Sequence, residues 1–200
     1  TLLNLASLLD TPTSGEIFYS GKNINKFSKR RKEKYRNEDI GIIFQHYNLL
    51  EEHNALFNIA LPYEIKGYSH QKALQKATIL LNKFNFDKTI GKTKVSNLSG
   101  GEKERVAILR SIINEPKIVL ADEPTGALDS NNSEVVMELL KEISKSRLVI
   151  LVSHNNQLVE KYADRIITLS DGVVASDELV NEIIPIEHKE SKNNFLKNTD

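Results

Sequence analysis

Apolar residues follow two different spacings along the chain. In one set of segments they recur every three or four positions, which is typical of helices with one buried face. These predicted helices cover residues 1–9, 70–84, 101–114, 132–145 and 155–162, with Ser69 as the N-cap of the second and a mostly helical pattern over 46–97. In another set the apolar residues form short continuous runs, which are typical of strands buried on both faces. These predicted strands cover residues 40–44, 117–121, 148–152 and 165–169.

The order of these segments predicts the fold class. After residue 117, strand, helix, strand, helix and strand follow one another, and such alternation favours crossover connections between parallel strands. We therefore expect an α/β fold with a mainly parallel sheet. A small antiparallel portion is also expected, because residues 16–20 alternate like a half-buried strand and Asp171–Gly172 predicts a hairpin into residues 173–174.

Length and composition narrow the class of protein. A chain of 200 residues suits one domain, or one domain with a small inserted subdomain, and residues 177–200 are polar enough to predict a tail or linker. The 27 basic and 27 acidic residues cancel, which argues against a general nucleic-acid binder, and the basic run 29–36 is typical of a solvated face. The absence of cysteine excludes disulfides and thiolate metal sites. No apolar run approaches the roughly 20 residues that a bilayer span requires.

Polar residues follow three of the predicted strands. Gln45 follows the first, Asp122 and Glu123 end the second, and His154 lies just beyond the third. Because ligands of open α/β sheets bind outside the carboxyl ends of the strands, we expect these groups along one edge. The carboxylate of Asp122 suits Mg²⁺, which prefers oxygen ligands, and Glu123 can deprotonate a water that attacks a phosphoryl group.

Residues 98–102 (LSGGE) open a predicted helix. Ser99 and Glu102 match a capping box, which is a purely structural explanation of those two residues. A cap does not explain Gly100 and Gly101, because each glycine within a helix costs about 1 kcal/mol relative to alanine. Paired glycines let the backbone approach a ligand closely, and the free N–H groups of a helix N-terminus bind anions. We therefore expect a phosphate at this helix end.

These motifs together resemble those of the nucleotide-binding domain of ATP-binding cassette (ABC) transporters. The resemblance covers residues 1–176, and residues 44–50 (FQHYNLL) and 121–129 (ADEPTGALD) are similar to the lipoprotein-release, macrolide-export and antimicrobial-peptide-resistance subfamily. It implies a P-loop NTPase-type α/β fold with a helical subdomain at about 48–115. The motifs that carry it are Gln45 as the Q-loop, residues 98–102 as the ABC signature, residues 118–123 as the Walker B strand, residues 126–129 as the D-loop and His154 as the switch histidine.

The family implies an ATPase that uses ATP and Mg²⁺. The resemblance implies that two such domains close head to tail around two ATP molecules. It also implies that ATP hydrolysis drives a membrane permease subunit or a fused transmembrane domain, which places the ATPase at the cytoplasmic face of the cell membrane. Nucleic acid is not expected as a partner. The implied roles are Glu123 as general base, His154 and Gln45 as further catalytic groups, Asp122 and Gln45 at the metal, and Ser99, Gly100, Gly101, Glu102 and Asp129 at the nucleotide.

The Gly-rich Walker A segment of the family does not occur in the chain. In the family that segment precedes Thr-Leu-Leu-Asn, and the chain begins with these four residues, so we expect the segment and an adenine-stacking aromatic to lie upstream in the gene product. On that view the 200-residue chain alone is inactive. We expect the complete protein to power an exporter of peptides, lipoproteins or drugs. The alternatives are an ABC ATPase of the translation or repair type and a catalytically inert truncated cassette.

Overall fold

A parallel sheet organises residues 1–87 and 89–180, the part of the chain that the computed structural model describes. Its strand order is β3 (Ile40–Ile43), β4 (Ile118–Asp122) and β5 (Leu148–Val152). Ile43 lies opposite Ala121 and Asp122 lies opposite Val152, so the carboxyl ends of the strands are level. The expected mainly parallel sheet is confirmed.

The middle strand β4 explains why its sequence is a continuous apolar run. Val119 and Ala121 are fully buried in the larger core cluster, and Leu120 between them is buried in the smaller cluster with Ile24 and Ile40. Successive side chains of a strand point to opposite faces, so a strand covered on both sides needs apolar residues at every position.

The helices cover both faces of this sheet and much of the segment 48–115. Helices α3, α4 and α5 pack against one another within that segment, and α6 packs against α5, α7 and β5. Ser69 is the N-cap residue of α4, as predicted from the sequence, although its side chain makes no capping hydrogen bond. The helices are α1 (Leu2–Ala6), α2 (Lys29–Glu38), α3 (Ala55–Ile65), α4 (His70–Lys83), α5 (Gly100–Ile112), α6 (Ser130–Ser144) and α7 (Asn156–Tyr162).

Two antiparallel hairpins complete the described residues. The first joins β1 (Phe18–Tyr19) to β2 (Lys22–Asn23). The second joins β6 (Arg165–Ser170) to β7 (Val173–Leu179), with Gly172 at a φ of 80° in the turn.

The second hairpin corrects two expectations. The alternation of strands and helices predicted that 165–169 would join the parallel sheet, but within the described residues β6 pairs with β7 and not with β5. The tight turn gives β6 an immediate antiparallel neighbour, and Arg165 binds the carboxylate of Asp177 across it at 2.6 Å. Strand β7 continues to Leu179, so residues 177–179 belong to a strand and not to the polar tail or linker expected from residue 177 onwards. Residues 181–200 of that segment lie outside the described residues.

None of the helices in residues 1–87 and 89–180 has both the length and the hydropathy that a membrane span requires.

Candidate functional site

Glu123 and His154 meet at the carboxyl edge of the parallel sheet. Glu123 follows β4 directly and His154 lies two residues beyond β5, and these strands are paired in register. The Nδ1 of His154 is 2.9 Å from the Oε2 of Glu123. The imidazole is 80% exposed and the carboxylate side chain 19% exposed, so the pair joins a half-buried acid to a group that faces solvent.

The backbone of Glu123 fixes the position of its carboxylate. Its φ is 49°, in the left-handed region, which costs a non-glycine residue about 1–3 kcal/mol. Its N–H donates to the carbonyl of Val152 at 3.0 Å, and its carbonyl accepts the N–H of Gly126 at 3.1 Å. A Cβ at Gly126 would lie 3.6 Å from the Cβ of Glu123, so the turn closes directly against this residue. Strain of this kind persists only where the surrounding structure enforces it.

The Oε2 of Glu123 is a buried atom without a well-directed hydrogen bond. Its contact with His154 is short, but the geometry is not that of a hydrogen bond. A cavity of about 290 Å³ adjoins it, lined also by Thr125, Gly126 and Ser153. A buried carboxylate oxygen that has an incomplete set of partners and faces a cavity is suited to bind a water molecule.

Asp122 offers the carboxylate expected to hold Mg²⁺. It ends β4, its side chain is exposed, and it forms no ion pair with another described residue. Residues 1–87 and 89–180 contain no cluster of three His, Cys, Asp or Glu side chains that could enclose a metal ion. One free carboxylate nevertheless fits Mg²⁺ in a nucleotide site, because that ion is usually held by one or two carboxylates together with phosphates and waters.

Gln45 lies at the same edge on the other side of β4. It follows β3 by two residues, and the last residue of β3 is paired with Ala121. Its side chain is exposed and makes no hydrogen bond to the described part of the chain. The structure therefore brings Gln45, Asp122, Glu123 and His154 to one edge, as the strand pattern predicted.

Ser99 caps the N-terminus of α5, as the capping-box pattern predicted. Its Oγ accepts the N–H of Glu102 at 3.4 Å, and its own N–H donates to the Oε2 of Glu102 at 2.8 Å. The structural explanation of this pair is thus correct. Capping does not explain Gly100 and Gly101, and each of these glycines has a close neighbour from another part of the chain.

Gly101 is in contact with the start of α6. A Cβ at Gly101 would lie 2.5 Å from the Oδ1 of Asn132, a distance that real Cβ atoms do not reach. Asn132 cannot move away freely, because its Nδ2 donates to Asp129 at 2.6 Å. Asp129 also accepts the backbone N–H of Asn132 as the N-cap of α6, and these two bonds lower the pKa of Asp129. The signature glycine and the D-loop aspartate are therefore linked through one asparagine.

Gly100 lies beside two side chains that the sequence did not point to. A Cβ at Gly100 would lie 3.4 Å from the hydroxyl of Tyr47 and 3.5 Å from Leu128, which are ordinary contact distances. No hydrogen bond or ion pair between described residues joins the 99–101 segment to Glu123 or His154.

Tyr47, Arg110 and Asn132 were missed in the sequence analysis. Each acts on a residue far away in the chain, and only the Asp-x-x-Asn spacing from Asp129 gave a signal, that of a helix cap.

A second cavity, of about 300 Å³, lies between α2 and the start of β4. Two of its basic side chains already have partners: Lys117 is 3.4 Å from Asp39, and Arg31 stacks on Phe27 at 3.9 Å. We assign this cavity no part in the site.

Comparison with known proteins identifies the family. The family model described as "ABC transporter" matches residues 1–126. Over 180 residues, 89% of this chain and 76% of the relative, the chain is 38% identical to the lipoprotein-releasing system ATP-binding protein LolD of Shewanella denitrificans. The chain therefore belongs to the ABC transporter family and is an ABC-type ATPase, and the resemblance inferred from the motifs is confirmed.

Other relatives include transporters with different functions. The chain is 39% identical to the macrolide export ATP-binding/permease protein MacB of Mannheimia succiniciproducens, over 96% of this chain and 30% of that protein. It is 35% identical to the methionine import ATP-binding protein MetN of Haemophilus influenzae, over 100% of this chain and 58% of that protein. The solved dimeric structure of the ATP-binding cassette MJ0796 bound to ADP and Pi aligns with a TM-score of 0.80 and 34% identity, covering 91% of this chain and 80% of that one. The expected P-loop NTPase-type fold is confirmed.

Proposed function

We propose that the full gene product to which this chain belongs hydrolyses ATP to power the export or release of a substrate through a membrane permease. The observation that carries the catalytic part is the Glu123–His154 contact of 2.9 Å beside the free carboxylate of Asp122. Relatives named for lipoprotein release and macrolide export, at 38% and 39% identity, support the export direction over the import relative at 35%. All three are transport components, which favours transport over translation or repair.

Glu123 is the general base in this proposal. Its half-buried carboxylate accepts the proton of the water that attacks the terminal phosphoryl group, and His154 orients that water from the exposed side. The left-handed backbone keeps the carboxylate in one place, so little reorganisation accompanies the reaction. Intact geometry of this pair also supports an active enzyme over an inert cassette.

Asp122 and Gln45 are the residues that would hold Mg²⁺. The bound ion neutralises charge on the phosphates of ATP. The exposed side chain of Gln45 lies at the edge where it can contact both the metal and a partner protein. This arrangement supports a role for Gln45 in reporting the state of the nucleotide to the permease.

The N-terminus of α5 would bind phosphate from a second copy. Gly100 and Gly101 present the free N–H groups of a helix N-terminus, which attract anions, and Ser99 lies directly before them as the N-cap. Glu102 holds the cap in shape, and Asp129 couples this end to the other site through Asn132. The dimeric state of the related cassette MJ0796 supports a pair of such domains, and a permease partner would place them at the cytoplasmic face of the membrane.

The proposal predicts the behaviour of Glu123→Gln in the full gene product. Loss of the general base should lower ATPase turnover by about 10²–10⁴ while ATP binding is retained, as measured by phosphate release and by calorimetry. Glu138→Gln is the matched control, because Glu138 is exposed on α6 away from the site. Near-normal turnover of Glu123→Gln would remove Glu123 from the role of base.

A further inference from the structure

The loop that follows Gln45 adopts a strained backbone conformation. Tyr47 and Asn48 have φ values of 57° and 50°, so two consecutive non-glycine residues lie in the left-handed region. Asparagine tolerates this conformation, but in tyrosine it is strained. Two hydrogen bonds lie within the loop: the N–H of Tyr47 donates to the carbonyl of Phe44 at 3.0 Å, and the N–H of Asn48 donates to the carbonyl of His46 at 2.5 Å. Further contacts must come from outside the loop.

Arg110 supplies those contacts from helix α5. Its Nη2 donates to the carbonyl of Tyr47 at 2.5 Å, and its Nη1 donates to the carbonyl of Asn48. The two carbonyls belong to the two residues in the strained conformation. A guanidinium can hold two neighbouring acceptors at once because its donors form a rigid planar fork. The side chain is half-buried, so these carbonyls also satisfy a cation that has lost part of its hydration.

A second contact joins the same loop to the opposite end of α5. The hydroxyl of Tyr47 lies beside Gly100, where a Cβ would be 3.4 Å away. Gly100 and Arg110 are separated by about 15 Å along the helix axis. Tyr47 therefore contacts α5 twice: its carbonyl accepts from the long side chain of Arg110, and its hydroxyl lies beside Gly100.

We propose that Arg110 is a positioning residue, which ties the Gln45 loop to the signature helix so that the two move as one body. Gln45 precedes Tyr47 by two residues, so the direction of its side chain depends on the conformation that Arg110 holds. The inference deepens the proposed function, on which it rests: Gln45 faces the nucleotide of its own chain, whereas the 99–101 segment faces that of the second copy. The connection through Arg110 transmits a displacement of one to the other.

Arg110→Lys in the full gene product tests this inference. Lysine keeps the charge but cannot hold both carbonyls in a fork. We expect kcat for ATP hydrolysis to fall about tenfold with little change in KM, because the loss concerns positioning in the transition state and not nucleotide binding. Arg30→Lys, at an exposed position of α2, is the matched control and should keep wild-type kinetics.

A double-mutant cycle with Gln45→Ala separates positioning from a general structural effect. If Arg110 acts through Gln45, adding Arg110→Lys to Gln45→Ala should lower kcat less than about twofold further, since the residue it positions is gone. Additive losses, or wild-type kcat in either single variant, would overturn the inference. The proposed function fails separately, in the Glu123→Gln assay, so the two outcomes are distinguishable. Thermal unfolding of each variant checks that the protein remains folded.

Discussion

Glu104 is a residue whose chemistry the sequence alone conceals. It lies on α5 in the middle of the signature helix, where a charged residue is typical of an exposed face, yet it is 1% exposed. Its Oε1 has no hydrogen-bond partner among the described residues. Burial raises the pKa of Glu104 to about 8, and the neighbouring Arg110 opposes that rise only in part. At neutral pH the carboxyl is therefore mostly protonated. Burial raises the pKa of Tyr47, and the negative charge of Glu104 in its ionised form raises it further.

Glu104→Gln should change how stability depends on pH. An unfolded glutamate titrates near pH ~4.3, so between that pH and about 8 the folded protein binds more protons than the unfolded chain. The free energy of unfolding contributed by this group is therefore greatest at low pH and falls as pH rises. Glutamine does not titrate, so the free energy of unfolding of the variant lacks this decrease. We expect the free energy of unfolding of the variant, relative to that of wild type, to rise by about 1–3 kcal/mol from pH 5 to pH 8 in chemical denaturation. Parallel pH profiles of the two proteins would show that Glu104 is charged throughout, and Glu138→Gln supplies the control.

At the scale of elements, the contact between α5 and α6 distinguishes the two signature glycines. The Oδ1 of Asn132 lies 2.5 Å from where a Cβ of Gly101 would be, whereas the neighbours of Gly100 begin at 3.4 Å. Gly101→Ala should therefore destabilise the protein by about 1–3 kcal/mol, because Asn132 is held by Asp129 and cannot give way cheaply. Gly100→Ala should stay within about 1 kcal/mol of wild type.

Thermal and chemical unfolding of the two alanine variants measure this difference. The double variant of Gly101→Ala with Asn132→Ala should recover part of the loss, since the obstructing amide is removed. Equal stability of the two single variants would show that the α5–α6 contact adapts without cost.

The strands also show which features of the fold a sequence pattern can predict. Strands β3 and β4 were predictable because burial on both faces leaves continuous apolar runs, and β5 is also an apolar run although it is only partly buried. Parallel pairing then placed Gln45, Asp122, Glu123 and His154 at one edge. The apolar run of β6 wrongly suggested a place in the parallel sheet, whereas the hairpin predicted from Asp171–Gly172 is confirmed, because this turn decides the pairing of β6. The left-handed backbone of Glu123 and the clamp of Arg110 on the Tyr47 loop depend on contacts between distant segments, and no local spacing records them.

At the scale of the whole molecule, the two parts of the site do not meet within one chain. Glu123 and His154 lie at the sheet edge, while the 99–101 segment packs against α6 and Tyr47, with no hydrogen bond or ion pair between the two groups in the described residues. If both act on the same triphosphate, as proposed, they must come from two chains. Association of the two chains then depends on the electrostatic attraction between the N-terminus of α5 and the phosphates bound by the partner.

That dependence predicts opposite behaviour for two variants at Ser99. In the Glu123→Gln background, where ATP persists, Ser99→Asn and Ser99→Asp both supply an N-cap that α5 accepts, but only aspartate adds a negative charge facing phosphate. We expect sedimentation with Mg-ATP to give dimers of the asparagine variant and monomers of the aspartate variant. Thermal unfolding must show that both caps are intact, because Glu102 lies 2.8 Å from the Oγ of Ser99 and would also repel aspartate. Equal dimerisation of two folded variants would mean that the signature segment does not face the partner's phosphates, since a full negative charge placed there would then cost nothing.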